Sequence, residues 1–249
     1  MTAGSRIRYL LWRASPVRRS VTVKLRAGEK LVLRPPPAWD LALAREVFVT
    51  TPYESPRPLA VTSVHRIVDV GANVGYTVVY WLHHYPLARI EAFEPHPGFV
   101  RYFRENVKAN GSSERVVIHA VAAGVRKGVA HLIDAETMSR TTEREVENSI
   151  RVNVVDFFET VGDERIDLLK LDCEGAEYPL LMDRRFEKLN LDTLVLEWHA
   201  IPTKPNAEWE IRRRLESLGW ELESIGPRTE LPGLTTGLFW AYRSKPHCG

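Results

Sequence analysis

Cysteine is scarce in this chain: its 249 residues include two, Cys173 and Cys248. That count excludes a disulfide-stapled scaffold, which needs several bridges to stand in for a core. One cysteine falls at an apparent strand end and the other beside the C-terminus, which argues against pairing and for a reducing, cytoplasmic setting. Also missing is any apolar run long enough to span a membrane. No internal repeat is visible. No extended Lys/Arg block accompanies the formal net charge of +2, so nothing points to a nucleic-acid partner. Nothing in the sequence decides between a monomer and a homo-oligomer. What remains, 44% hydrophobic and 27% charged residues, fits a soluble globular chain long enough for one α/β domain with a sizeable core.

Residues 1–60 read as an accessory segment and 61–249 as the main domain. Arg6, Arg8 and Arg13 surround Tyr9-Leu10-Leu11-Trp12. This stretch is too short for a secretory signal. It reads as a helix packed on the domain, with a membrane-touching basic amphipathic helix as the alternative. Val21–Leu25 and Lys30–Arg34 flank Ala27-Gly28-Glu29, a hairpin signal. Pro35-Pro36-Pro37 ends it, and Asp40 is placed to cap a helix through Leu41–Phe48.

From Val64 onward, strand and helix patterns alternate. The strands are HRIVDV, ARIEAF, RVVIHA, IDLLKL, DTLVLE and WELESI; the helices are Tyr76–His84, Gly98–Ala109, Ala176–Arg184 and Ala207–Leu218. Strands this apolar, separated by helices, predict a doubly wound, mostly parallel sheet covered on both faces. Trp220–Ile225 and Leu238–Arg243, joined without a helical pattern, predict a C-terminal antiparallel hairpin. Val129–Ile133 and Ile150–Val155 look like extra strands. They bracket the polar run Asp134–Ser149, either a lid or a surface loop. Trp209 and Trp220 read as packing residues, and His83-His84 as helix-end cations.

Open α/β sheets bind ligands at the carboxyl ends of their strands. The first such end is Asp69-Val70-Gly71-Ala72-Asn73-Val74-Gly75. Gly71 and Gly75 allow a tight turn close to a ligand. Asp69 adds a carboxylate, suited to a cofactor with ammonium and sulfonium groups, as in S-adenosylmethionine. An NAD(P)-dependent oxidoreductase is the competing reading. Its G-x-G-x-x-G fingerprint faces a pyrophosphate, whereas this chain has Asn73 at the second glycine and an acid beside the turn. The second strand ends in Glu94-Pro95, and an acid there can accept from ribose hydroxyls. After the third strand, Ala120–Gly124, with Ala122 at its centre, is small enough to border an adenine.

Taken together, IVDVGANVGYT, EAFEPHP, FRENVKANG, VVIHAVAAG, IDLLKLDCEGAEYPLL and LVLEWH resemble the FkbM family of methyltransferases, in order from Val64 to His199. The resemblance implies a class I, Rossmann-like methyltransferase fold and S-adenosylmethionine as donor. It also implies a hydroxyl acceptor on a sugar, a glycan or a polyketide-type small molecule. Tyr76 and Thr77 follow the turn in the matching motif and join the cofactor set. An amine acceptor, hence N-methylation, stays open.

A hydroxyl is a poor nucleophile, so a base or a metal must assist. Asp172, Cys173, Glu174 and Glu177 follow the fourth strand; Glu197 and His199 close the fifth. Residues two apart on a strand face the same way, so Glu197 and His199 are expected on one face, beside Asp172. In one reading His199 is the general base, with an ordinary pKa near ~6.5, oriented by a carboxylate. In the other, Asp172, Glu197 and His199 hold Mg²⁺ or Mn²⁺; catechol-type O-methyltransferases place carboxylates at the corresponding strand ends. Asp172 borders both cofactor and acceptor. Glu174 and Glu177 also read as charges favourable at a helix N-terminus.

Overall fold

The computed structural model describes the chain except residues 15–18, 36–38, 134–139, 143–146, 232 and 244–249. Cys248 and most of the Asp134–Ser149 run lie outside the described residues. In chain order the elements are α1 (Ala3–Ala14), β1 (Val21–Lys24), β2 (Lys30–Leu33), α2 (Asp40–Arg45), β3 (Arg66–Val70), α3 (Tyr76–His84), β4 (Arg89–Phe93) and α4 (Pro97–Ala109). They continue with β5 (Val116–His119), β6 (Ala122–Gly124), β7 (Gly128–Ile133), β8 (Arg140–Thr142), β9 (Ile150–Asp156), α5 (Phe157–Val161) and β10 (Ile166–Leu171). The last are α6 (Glu177–Met182), β11 (Leu191–Ala200), α7 (Ala207–Ser217), β12 (Trp220–Leu231) and β13 (Leu234–Arg243).

The central sheet has seven strands in the order β12-β13-β11-β10-β3-β4-β5. The five from β11 to β5 run parallel, and β13 is antiparallel to both its neighbours. Strand alternation sends side chains to two cores. Ile67 and Leu168 join Val78, Trp81 and Trp240 on one face. Val68, Val70, Leu169 and Leu171 join Phe186 and Leu196 on the other. Every residue of β10 is buried, as a doubly covered parallel strand requires. This is the expected class I methyltransferase fold.

Three local expectations need correcting. β12 runs six residues past Ile225, to Leu231, through a bulge between Ile225 and Thr229. Gly226 and Pro227 are absorbed by that irregularity instead of ending the strand. Trp209 is 60% exposed, beneath the Arg213 guanidinium. The buried stripe of α7 is Ala207, Ile211 and Leu215, four apart, and position 209 lies off it.

Asp40 does not cap α2; Trp39 holds that position without a side-chain bond. The Asp40 carboxylate is buried instead. It receives Arg34 Nε at 2.7 Å and the Tyr76 hydroxyl at 3.2 Å. A buried carboxylate needs a cation, and Arg34 supplies it. The chain continues from α2 into a π-helical turn at Glu46–Thr50, closed by Thr51 in a left-handed conformation.

The β1–β2 hairpin is antiparallel as expected. Asn106 of α4 bridges it to the β3–α3 turn, accepting from Val32 N at 2.6 Å and donating to Val74 O at 2.8 Å. Val23, Leu31 and Leu33 share a core with Val78 and Phe103. β6, β9, β7 and β8 form a separate four-stranded sheet, so the expected extra strands exist and pair with each other, and β6 contains the Ala122 site.

Candidate active site

A cavity of about 970 Å³ opens at the carboxyl ends of β3, β4, β10 and β11. Gly71, Asn73, Tyr76, Thr77, Glu94, Pro95, Ala122, Asp172, Glu197 and His199 all contribute to its wall. The sequence therefore placed ten candidate residues around one space.

The β3–α3 turn shows why its residues are what they are. Gly71 has φ +87°, and a Cβ there would lie 1.7 Å from the Asp172 carbonyl oxygen. Only glycine lets these two strand ends touch. Asn73, at φ 52°, takes the left-handed conformation that asparagine tolerates better than most residues. Its backbone N–H donates to Glu94 Oε2 at 2.8 Å. Glu94 Oε1 accepts from His96 N at 2.7 Å. Burial pushes the Glu94 carboxyl up to about 7 against these two bonds.

Two cofactor candidates sit elsewhere than expected. Asp69 is fully buried behind the turn and is not part of the cavity wall. The reason is Lys170, itself buried, whose Nζ donates to Asp69 Oδ1 at 3.1 Å and to Gly71 O at 3.0 Å, and lies 3.2 Å from Asp172 Oδ2. Burial disfavours the Lys170 charge, but Asp172 and Asp69 more than restore it and raise its pKa. Asp69 thus braces the turn through Lys170. Gly75 is likewise outside the wall; a Cβ there would meet the Phe103 ring at 2.1 Å, so its role is helix packing.

At the other end, β11 persists to Ala200, and Glu197 and His199 share a face as period-two alternation requires. His199 is gripped from both sides. Its Nδ1 lies 2.9 Å from Glu177 Oε1, and its Nε2 lies 3.5 Å from Glu174 Oε2. Glu177 is more than a helix-end charge: it is fully buried, and it also accepts from His199 N at 3.1 Å and Gly175 N at 2.8 Å. Burial opposes the imidazolium, but the Glu177 bond and the charges of Glu177, Glu174 and Asp172 push its pKa up to about 10. The expected base of ordinary pKa is therefore a cation at neutral pH.

Glu197 behaves oppositely. Burial and then Asp172 raise its carboxyl to about 8, against the pull of His199. Glu174, in a left-handed conformation at φ 55°, is raised to about 7, first by burial.

Four groups at this end escaped sequence reading in their present roles: Lys170, Glu177, Tyr53 and Glu46. The Tyr53 hydroxyl donates to Asp172 Oδ2 at 3.3 Å. Burial, then the charges of Asp172 and Glu197, keep it protonated. Glu46 lines the cavity, with its pKa raised by burial and by Asp172.

Among the described residues, Asp172, Glu174 and His199 offer ligand atoms within 4.8 Å of one another. This set has Glu174 where the sequence suggested Glu197. With Nδ1 held by Glu177, a divalent ion there would compete with a proton for His199 Nε2.

The methyltransferase FkbM domain matches residues 69–222, a span that takes in the turn, Glu94 and the β10 and β11 ends. The chain belongs to the FkbM methyltransferase family. That membership decides against the dinucleotide oxidoreductase. Methyltransferase sdnD of Sordaria araneosa is 26% identical over 196 residues, 63% of this FkbM chain and 73% of that protein. Methyltransferase FkbM from Methylobacillus flagellatus KT superposes with a TM-score of 0.54 at 14% identity, covering 77% of this chain. The chain spans about half of that protein, 47%. M. jannaschii TYW2 in complex with AdoMet gives a TM-score of 0.51 at 14% identity over 92% of this chain and 89% of that one. These likenesses show the fold. Glu46 and Tyr53 lie before the matched span, on the segment that closes the carboxylate end of the cavity.

Proposed function

We propose that this FkbM methyltransferase transfers a methyl group from S-adenosylmethionine to a hydroxyl of a sugar or natural-product small molecule. The observation that carries the reading is one cavity with two chemically distinct ends. At one end are the Gly71–Asn73 turn and Glu94. At the other are Asp172, Glu174 and Glu197.

The first end fits the donor. Glu94 uses one lone pair on each oxygen for backbone N–H groups, and a carboxylate has about four acceptor sites, so it retains capacity for ribose hydroxyls. The Gly71–Asn73 backbone lines this end of the cavity. Ala122 and Ala123 offer a small apolar wall for a planar ring. When bound, S-adenosylmethionine supplies an electrophilic methyl on sulfur.

The acceptor's hydroxyl proton would pass to the Glu197 carboxylate as its oxygen bonds to the methyl carbon and the carbon–sulfur bond breaks, leaving S-adenosylhomocysteine. A carboxyl that titrates near the working pH is matched to this task. Asp172, held by Lys170 and Tyr53, orients the acceptor. His199 stays protonated, anchored on Glu177, and keeps Glu197 from rising further. No metal enters this sequence.

The test is incubation with labelled S-adenosylmethionine and a panel of hydroxylated sugars and macrolide-type alcohols, read by label transfer and mass spectrometry. Binding of S-adenosylhomocysteine without transfer to any hydroxyl or amine would refute catalysis. A second reading, N-methylation, is favoured by the carboxylate-rich wall, which suits a cationic amine. Label on nitrogen in a matched amine–alcohol pair would choose it.

A further inference from the structure

Helix α1 carries two apolar faces. Its inner face is committed. Tyr9 and Trp12 pack against the core that contains the β1–β2 hairpin. Ser5 Oγ accepts from Lys24 N at 2.7 Å. The Trp12 indole donates to Arg19 O, and Arg8 donates to Thr22 O at 3.3 Å. These bonds fix the rotation of the helix.

On the outer face, Leu10 and Leu11 are 62% and 68% exposed. At about 100° per residue, exposed Ala3 and Ala14 fall on the same side. Arg6 and Arg13, seven apart, flank this stripe on one side, and Arg8 flanks it on the other; all three are exposed. The helix AGSRIRYLLWRA contains no acidic residue.

We propose that α1 is a membrane-surface docking helix. Leu10 and Leu11 enter the headgroup–acyl boundary of an anionic bilayer, and Arg6 and Arg13 meet its lipid phosphates. The pattern of apolar stripe and basic flanks is what an interfacial helix requires. A second copy of the chain fits the face less well. Self-pairing would bring three arginines from each copy together without a carboxylate from either helix. At 12 residues α1 is too short to cross a bilayer, so it would lie in the interface plane. The inference is independent of the acceptor's identity.

The experiment is co-sedimentation of the full chain with phosphatidylcholine vesicles, with and without phosphatidylserine. Anionic vesicles are expected to bind about tenfold or more tightly than neutral ones, with binding lost at high salt. Each arginine near the surface contributes about fivefold, so Arg6→Gln with Arg13→Gln should lose ~25-fold. Leu10→Asp with Leu11→Asp should lose at least ~tenfold while keeping the wild-type melting temperature. Leu10→Ala with Leu11→Ala is the gentler substitute if the aspartates disturb folding. Absence of wild-type binding to anionic vesicles would overturn the proposal. So would binding that the leucine variants leave unchanged. Wild-type self-association abolished by those variants would assign the face to a second copy and also overturn it.

Discussion

Replacing Glu177 with Gln tests the buried ion pair at the carboxylate end of the cavity. Glutamine keeps the shape and can still accept from His199 N, but it removes the charge that makes the imidazolium tolerable. His199 titrates at 6.5 when unperturbed and is held up to about 10 in the fold. A raised cationic group stabilises the fold fully below its unfolded value and loses that contribution as pH climbs through its folded value. The gap, at ~1.4 kcal/mol per pH unit, sets a ceiling of ~5 kcal/mol. By linkage about 4 kcal/mol of this is present at pH 7 and under ~1 kcal/mol at pH 10. Because the glutamine retains a hydrogen bond and His199 is free to shed its proton, the expected loss is ~2–4 kcal/mol at pH 6–7. For a chain of this size that lowers the melting temperature by roughly 4–16 °C. The assay is urea unfolding of wild type and Glu177→Gln at pH 6, 8 and 10, followed by far-UV circular dichroism. The difference between the proteins should shrink steadily toward pH 10, a comparison that cancels the lysines and tyrosines titrating in both. A difference that is constant with pH, or a wild-type His199 imidazole titrating near 6.5 by NMR, would refute the pairing.

Glu197→Gln should lower turnover on the order of 10² or more while S-adenosylhomocysteine binding is retained; equal turnover would remove Glu197 as proton acceptor. In the wild type, turnover should rise from pH 6 and level off above about 8 as Glu197 loses its proton, and a flat profile would contradict that role. Tyr53→Phe removes the donor to Asp172 and should reduce kcat/KM for the acceptor about tenfold without changing S-adenosylhomocysteine affinity, as steady-state kinetics and calorimetry would show. Gly71→Ala places a methyl 1.7 Å from the Asp172 carbonyl and should cost at least ~2 kcal/mol of stability; an unchanged thermal transition would refute the close approach. Thorough chelation should leave activity intact, and its loss, restored by Mg²⁺ or Mn²⁺, would reverse the assignment of His199 as a bound cation.

Periodic features were legible in the sequence. The apolar run before Gly71 and the helix after Gly75 announce a strand–turn–helix, because burial on both faces demands continuous apolar residues there. Glu197 and His199 could be placed together because strand alternation admits one answer. Lys170 was hidden by the same logic: within IDLLKL it passes for a solvent-edge residue, and nothing local says that Asp69 and Asp172 flank it. Glu177 was misjudged because an acid in the first turn of a helix has a sufficient local explanation. Its burial depends on β11, which comes later in the chain. Tyr53 and Glu46 belong to a segment whose strand and helix signals end in a proline-containing loop, and their arrival at the cavity is set by contacts with residues later in the chain, from Tyr76 to Trp240.

Those contacts bind the residue 1–60 segment to the site. The Trp240 indole of β13 donates to Pro52 O at 3.0 Å, and the Trp81 indole of α3 donates to Tyr53 O at 3.4 Å. Two consecutive carbonyls are thus held by two fully buried side chains, so the Tyr53 hydroxyl is aimed at Asp172 by the core. The Arg34–Asp40–Tyr76 cluster does the same for the start of α2, which leads into Glu46. A residue supported in this way keeps its geometry even on a loop, because moving it would strand buried donors without partners. The Gly71–Glu94 end of the cavity is built within the matched span. The carboxylate end is completed by Glu46 and Tyr53 from this earlier segment. Exchanging residues 46–53 between FkbM chains should therefore move acceptor preference while leaving S-adenosylhomocysteine affinity in place, and a chimera that changes the second without the first would show that the division of labour runs the other way.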